Sequence, residues 1–113
     1  MAKNYTAINQ EQHQLGSAFR KVSPDTMNAF LALHKTAMAD GAVPKKYKEM
    51  MAAAIGIAIR CDGCIASHIK AAVVAGATRE ELIDMINVAV LMGGGPGIIY
   101  GTQALAAVDE FLG

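Results

Sequence analysis

Apolar residues along this chain recur at helical spacing, and no segment carries a strong strand pattern. Residues Asn9 to Lys21 are weakly amphipathic, with Leu15, Ala18 and Phe19 on the apolar side, continued by Val22. Ser23-Pro24 opens a second helix, Ser23 as N-cap and Pro24 at the first helical position, where a missing N–H costs nothing. Its apolar face is Met27, Phe30, Leu31 and then His34 or Ala37 and Met38, and Asp40-Gly41 stops it. Pro44 opens a third helix that runs to about Arg60. A fourth starts near Cys61 or Asp62 and ends at Gly76. Thr78-Arg79-Glu80-Glu81 forms a capping box for a fifth, which ends before Gly93. Pro96 begins a sixth, running toward Phe111. The expected fold is a single all-α domain, residues 1–113, of about six helices joined by tight turns, with no repeat or linker.

Composition adds a constraint. Hydrophobic residues make up 53% of the 113 and charged residues 18%. A chain this short cannot bury so much apolar surface alone, because small domains bury a smaller fraction of their area. A membrane or an oligomer would absorb the excess. The longest uncharged apolar run, Val88 to Val108, is interrupted by Gly93-Gly94-Gly95-Pro96-Gly97, which argues against a span. The excess is therefore expected on helix faces buried between subunits of a homo-oligomer. Ten basic and ten acidic residues cancel, so nothing suggests a footprint for nucleic acid. The N-terminus, Met1-Ala2-Lys3-Asn4-Tyr5-Thr6, lacks the apolar core of a signal peptide, so a cytoplasmic location is expected. In that compartment a cysteine pair more often serves catalysis, redox sensing or metal binding than structure.

The only two cysteines stand in Cys61-Asp62-Gly63-Cys64-Ile65-Ala66-Ser67-His68. On a helix, residues three apart share a face with Cα atoms ~5 Å apart, within disulfide range. His68 lies one turn beyond Cys64, where an imidazole can take the thiol proton and favour the reactive thiolate. The start of a helix adds its positive dipole end, while Asp62 opposes a thiolate as a like charge. Glu49 is the only carboxylate between Gly41 and Cys61 and lies within an otherwise apolar helix. There it can orient His68, as a carboxylate orients histidine in a triad.

Glu49, eleven residues, then Cys61-x-x-Cys64-x-x-x-His68 resembles the active-site signature of the alkylhydroperoxidase D branch of the carboxymuconolactone decarboxylase family. The resemblance extends through Ala75-Gly76-Ala77-Thr78-Arg79-Glu80-Glu81-Leu82 and Leu91-Met92-Gly93-Gly94-Gly95-Pro96, covering roughly residues 24–112. It implies a helical domain assembled as a trimer or hexamer. It implies a peroxidatic Cys64, a resolving Cys61, His68 as base and Glu49 as its partner. It also implies a hydroperoxide substrate and an external dithiol reductant, a lipoylated protein or a thioredoxin-like donor. One position departs: Asp62 stands where the alkylhydroperoxidase has a second histidine. Decarboxylases of the family lack the cysteine pair, so the pair favours redox chemistry over lactone decarboxylation by Glu49 and His68. A non-enzymatic redox sensor, its disulfide controlling assembly, is the remaining reading.

No cofactor is expected. Cys61, Cys64, His68 and Glu49 could supply four zinc ligands, but structural zinc sites usually combine two distant ligand pairs. His13 and His34 read as surface or helix-face residues. Met27, Met38, Met50, Met51, Met85 and Met92 read mostly as core. The glycine run lacks the preceding strand and following Lys-Ser or Lys-Thr of a phosphate loop, and reads as a break where two backbones approach closely. Tyr100 reads as a packing residue.

Overall fold

The computed structural model describes residues 3–113 and contains five helices and no strand among them. Helix α1 (Tyr5–Val22) begins at Asn4, whose side chain accepts from the Ala7 N–H at 2.9 Å. Its first turn has no acid of its own. Glu110, from the other end of the chain, supplies one: the Tyr5 and Thr6 N–H groups each donate to its carboxylate at 3.1 Å.

Helix α2 (Pro24–Met38) starts at Pro24 as expected, but Ser23 makes no side-chain cap. Ser23 also closes α1, its N–H bonded to the Phe19 carbonyl at 2.8 Å, so the end of α1 sets its backbone. No residue of α2 is buried. Its far end is held by Lys48, whose ammonium donates to the Ala37 and Ala39 carbonyls at 3.0 and 2.6 Å.

Helix α3 (Lys45–Ala58) follows Pro44, and the Asp40 carboxylate accepts from the Lys45 N–H at 2.7 Å. It ends in a paired motif: the Arg60 N–H bonds to the Ile57 carbonyl at 3.1 Å and the Cys61 N–H to the Gly56 carbonyl at 2.9 Å. Arg60 takes the left-handed position of that motif, φ 62°. Helix α4 (Asp62–Val74) closes with the same pair of bonds, with Gly76 in the left-handed position.

Helix α5 (Arg79–Leu112) carries the expected capping box: Thr78 Oγ1 accepts from the Glu81 N–H and Glu81 accepts from the Thr78 N–H. The expected fifth and sixth helices form one run broken at a single residue, Gly94 (φ 64°, ψ −143°). Pro96 sits in the first turn of the second arm, where its missing N–H has no partner to lose. The arms run antiparallel. A Cβ on Gly101 would lie 2.9 Å from Val90 and 3.2 Å from Ile86, and Arg79 pairs with Asp109 at 2.8 Å. The stretch is long and apolar enough to cross a membrane by length and composition alone. Folded in half, each arm is shorter than the ~20 residues a span needs.

The core lies among α3, α4, α5 and the start of α1. Ile57, Ile65, Ile69, Leu82, Val108 and Tyr5 are fully buried, and alanines such as Ala53, Ala66 and Ala104 let the helices approach closely. Of the methionines read as core, Met85 is buried, whereas Met51 and Met92 are exposed. They belong to a wider apolar surface that includes Val22, Phe30, Val74 and Leu91. The accessible surface is 6975 Å². A compact monomer of this mass would show about 5,900 Å².

Candidate functional site

The turn between α3 and α4 places both cysteines. Because the Cys61 N–H is bonded to Gly56, the chain reverses directly into α4, and Cys61 becomes its N-cap. The Cys61 sulfur accepts from the Cys64 N–H at 3.1 Å, the role a serine oxygen plays elsewhere. The cysteines are joined as a disulfide, with Cα atoms 5.2 Å apart. Once reduced, Cys61 would face the unpaired N–H groups of the helix start, and Cys64 would lie one turn before His68.

Glu49 and His68 meet across the α3–α4 pair: His68 Nδ1 is 2.9 Å from Glu49 Oε1. Gly56 packed on Cys64 sets the register and puts residue 71 opposite Glu49. The three-residue offset left to His68, about 4.5 Å, is spanned by the two side chains. The Glu49 side chain is 3% exposed and that of His68 is 19% exposed. With Nδ1 donating to the carboxylate, Nε2 is the nitrogen left to exchange a proton. The contact expected from sequence thus forms within one subunit.

Sequence reasoning missed two groups around this pair. His34, from α2, stacks on His68 with ring centroids 6.0 Å apart and planes inclined by 18°. His34 is exposed, in keeping with a surface or helix-face residue, and nothing local marks its contact, which lies 34 positions on in α4. The second group surrounds Asp62. Lys3 donates to its carboxylate at 2.9 and 3.1 Å and the Tyr5 hydroxyl at 3.1 Å. The Lys3 charge offsets the repulsion that Asp62 would otherwise exert on a thiolate. Burial first, and then the bond to Asp62, push the Tyr5 hydroxyl far up from its ordinary value, so it remains a proton donor. Gln103 joins the cluster, accepting from Lys3 at 2.6 Å.

Among the described residues, no group of three His, Cys, Asp or Glu side chains is arranged to hold a metal ion. The site comprises a disulfide at a helix start, a carboxylate–imidazole pair one turn further along, and Asp62, ion-paired with Lys3, between the two cysteines in sequence.

The chain is similar to several known proteins. Residues 24–109 match the carboxymuconolactone decarboxylase family. A crystal structure of a family protein from Legionella pneumophila, in its apo form, is 41% identical and superposes with a TM-score of 0.91 over 95% of this chain and 96% of that one. A family protein from Thermotoga maritima, for which a role in antioxidative response has been suggested, is 25% identical with a TM-score of 0.73, covering 85% of this chain and 87% of its own. An uncharacterized protein of Cupriavidus necator is 38% identical over 104 residues, 92% of this chain and 88% of its own length.

Proposed function

This chain belongs to the carboxymuconolactone decarboxylase family, and within it we propose that it is a thiol-dependent peroxidase that cycles through the Cys61–Cys64 disulfide. The observation that carries this reading is the pairing of that disulfide with the Glu49–His68 hydrogen bond one helical turn away. The role suggested for the Thermotoga relative points the same way.

In the reduced state His68 takes the Cys64 proton. The thiolate attacks the terminal peroxide oxygen: an S–O bond forms, the O–O bond breaks, and the departing alkoxide takes the proton from His68 to leave as an alcohol. Cys64 is then a sulfenic acid. The Cys61 thiolate attacks its sulfur, the S–S bond forms, and hydroxide leaves as water on protonation. An external dithiol, a lipoylated protein or thioredoxin-like donor, restores both thiols by exchange and is itself oxidised to its disulfide. Glu49 holds the imidazole ring and stabilises its protonated form. Such a cycle suits the reducing cytoplasm. The apolar surface left exposed supports a homo-oligomer, for which the resemblance suggests a trimer or hexamer.

The test is peroxide consumption with a panel of dithiol donors. Wild type is expected to turn over and Cys64→Ser to be inactive. Glu49→Gln should lose about 10²-fold, the scale of general acid–base assistance. Turnover surviving in Cys64→Ser would overturn the reading.

A further inference from the structure

Two clefts lie along the seam between α1 and α4 and share Asn9, His13 and Ser67. One, of about 380 Å³, extends past Ala71 and Val74 to Lys45 and Lys70. The other, of about 430 Å³, extends past Met27, Phe30 and Leu31 to Arg20, His34 and Gly63. No aspartate or glutamate lines either cleft, although the chain has ten acids against ten bases. Among the described residues, Lys45, Lys70 and Arg20 form no salt bridge. A groove this one-sided in charge, within a neutral protein, concentrates anions.

Asn9 gives a second, independent sign. It is only 5% exposed, and no hydrogen bond of its carboxamide is found among the described residues. Yet no fully enclosed polar side-chain atom is left without a partner. The Asn9 amide therefore opens on the space where the clefts meet, with its donors and acceptor unused. Buried amides are ordinarily bonded, and an unused one facing a cavity marks a place for a ligand.

The larger cleft also borders the segment that carries the disulfide, and His34, which stacks on His68, lines it as well. Gly63, between the two cysteines, lines this cleft, 3.7 Å from the Gln12 side chain if given a Cβ. From Gly63 to Lys70 is seven residues of α4, about 10 Å along the axis. A molecule with one end beside Gly63 can place a negative group at Lys70 and Lys45 and lay an apolar chain between them.

Resting on the peroxidase reading, we propose that the substrate is an organic hydroperoxide carrying a carboxylate about 10 Å from its peroxide group, the span set by the helical rise. Lys45 and Lys70 hold the carboxylate, the chain lies on the α1–α4 seam beside Asn9, and the product is the matching hydroxy acid. The lysines act as point charges, so recognition weakens with salt.

The test is calorimetric binding of ω-hydroxyoctanoate, the redox-inert product analogue of suitable length, beside its methyl ester and octyl phosphate. The acid is expected to bind at least tenfold tighter than the ester. Lys45→Gln with Lys70→Gln should abolish the difference; both lysines are exposed, and a melting curve verifies the fold. Equal binding of acid and ester, or binding of neither, overturns the proposal. Tighter binding of octyl phosphate than of the acid overturns the carboxylate assignment. Selective binding of the acid by a protein that reduces no hydroperoxide would keep the anion groove and reject the peroxidase reading instead.

Discussion

Gly56 packs so closely on Cys64 that a Cβ at position 56 would stand 3.0 Å from the Cys64 Cβ and 3.4 Å from the Ile65 nitrogen. This contact sets the spacing of α3 and α4, and with it both the reach of Glu49 to His68 and the placement of the sulfurs. Gly56→Val is expected to destabilise the fold by about 1–3 kcal/mol through overpacking. Denaturant unfolding measures that. The same variant should oxidise its thiols more slowly, and an unchanged rate would mean that the spacing does not govern the site.

The two thiols are set against each other by different forces. Cys61 has the helix start, and Cys64 has His68. We expect the imidazole to prevail, giving Cys64 the lower pKa, because it can take the proton itself rather than only bias the field. The pH dependence of alkylation in Cys61→Ser and Cys64→Ser measures the order. Faster alkylation at neutral pH in the variant that keeps Cys61 would exchange the two roles.

Gly94 and its neighbour offer a contrast. Gly94 holds backbone angles closed to side chains, whereas Gly95 has a helical φ and open space around it. Gly94→Ala should cost about 1–3 kcal/mol. Gly95→Ala should gain up to about 1 kcal/mol from helix propensity. Opposite shifts in melting temperature are the expected result.

Acid should loosen the hairpin. The Asp109 carboxyl is held below its ordinary value of 3.8, chiefly by the hydrogen bond from Arg79. Glu81 is held below 4.5, first by the Thr78 N–H and then by Lys46. A depressed folded-state pKa means stability that is present above the unfolded value and lost as pH falls through the folded one. The melting temperature of wild type should therefore fall below about pH 4.5 more steeply than that of Asp109→Asn with Glu81→Gln. Parallel curves would show that these pairs contribute nothing.

Much of this architecture could be read from local sequence. Pro24, the Thr78–Glu81 box and the cysteine spacing act through neighbouring residues, so the helix starts and the disulfide were legible. Glu49 was legible because a lone acid in an apolar helix needs a partner. Two kinds of feature were not legible. Arg60 adopts a left-handed conformation that its residue type does not advertise; two terminal hydrogen bonds of α3 impose it. His34, Lys3 and Gln103 reach the site from distant elements, and no spacing rule links them to it. The methionines misled because amphipathic patterning marks an apolar face without saying whether this chain covers it.

The clasp between Glu110 and the start of α1 also orders events in time. The Tyr5 N–H finds its partner 105 residues away. During synthesis, α3 and α4 can pair from local contacts, and the dithiol turn is complete, before that partner exists. Helix α1 can close on that carboxylate only once residue 110 has left the ribosome. The nascent chain therefore has α1 and both cysteines in hand before it has the carboxylate that fixes the start of α1. For that interval the two ends of the described chain are not yet joined, and the first turn of α1 lacks the acid that later caps it.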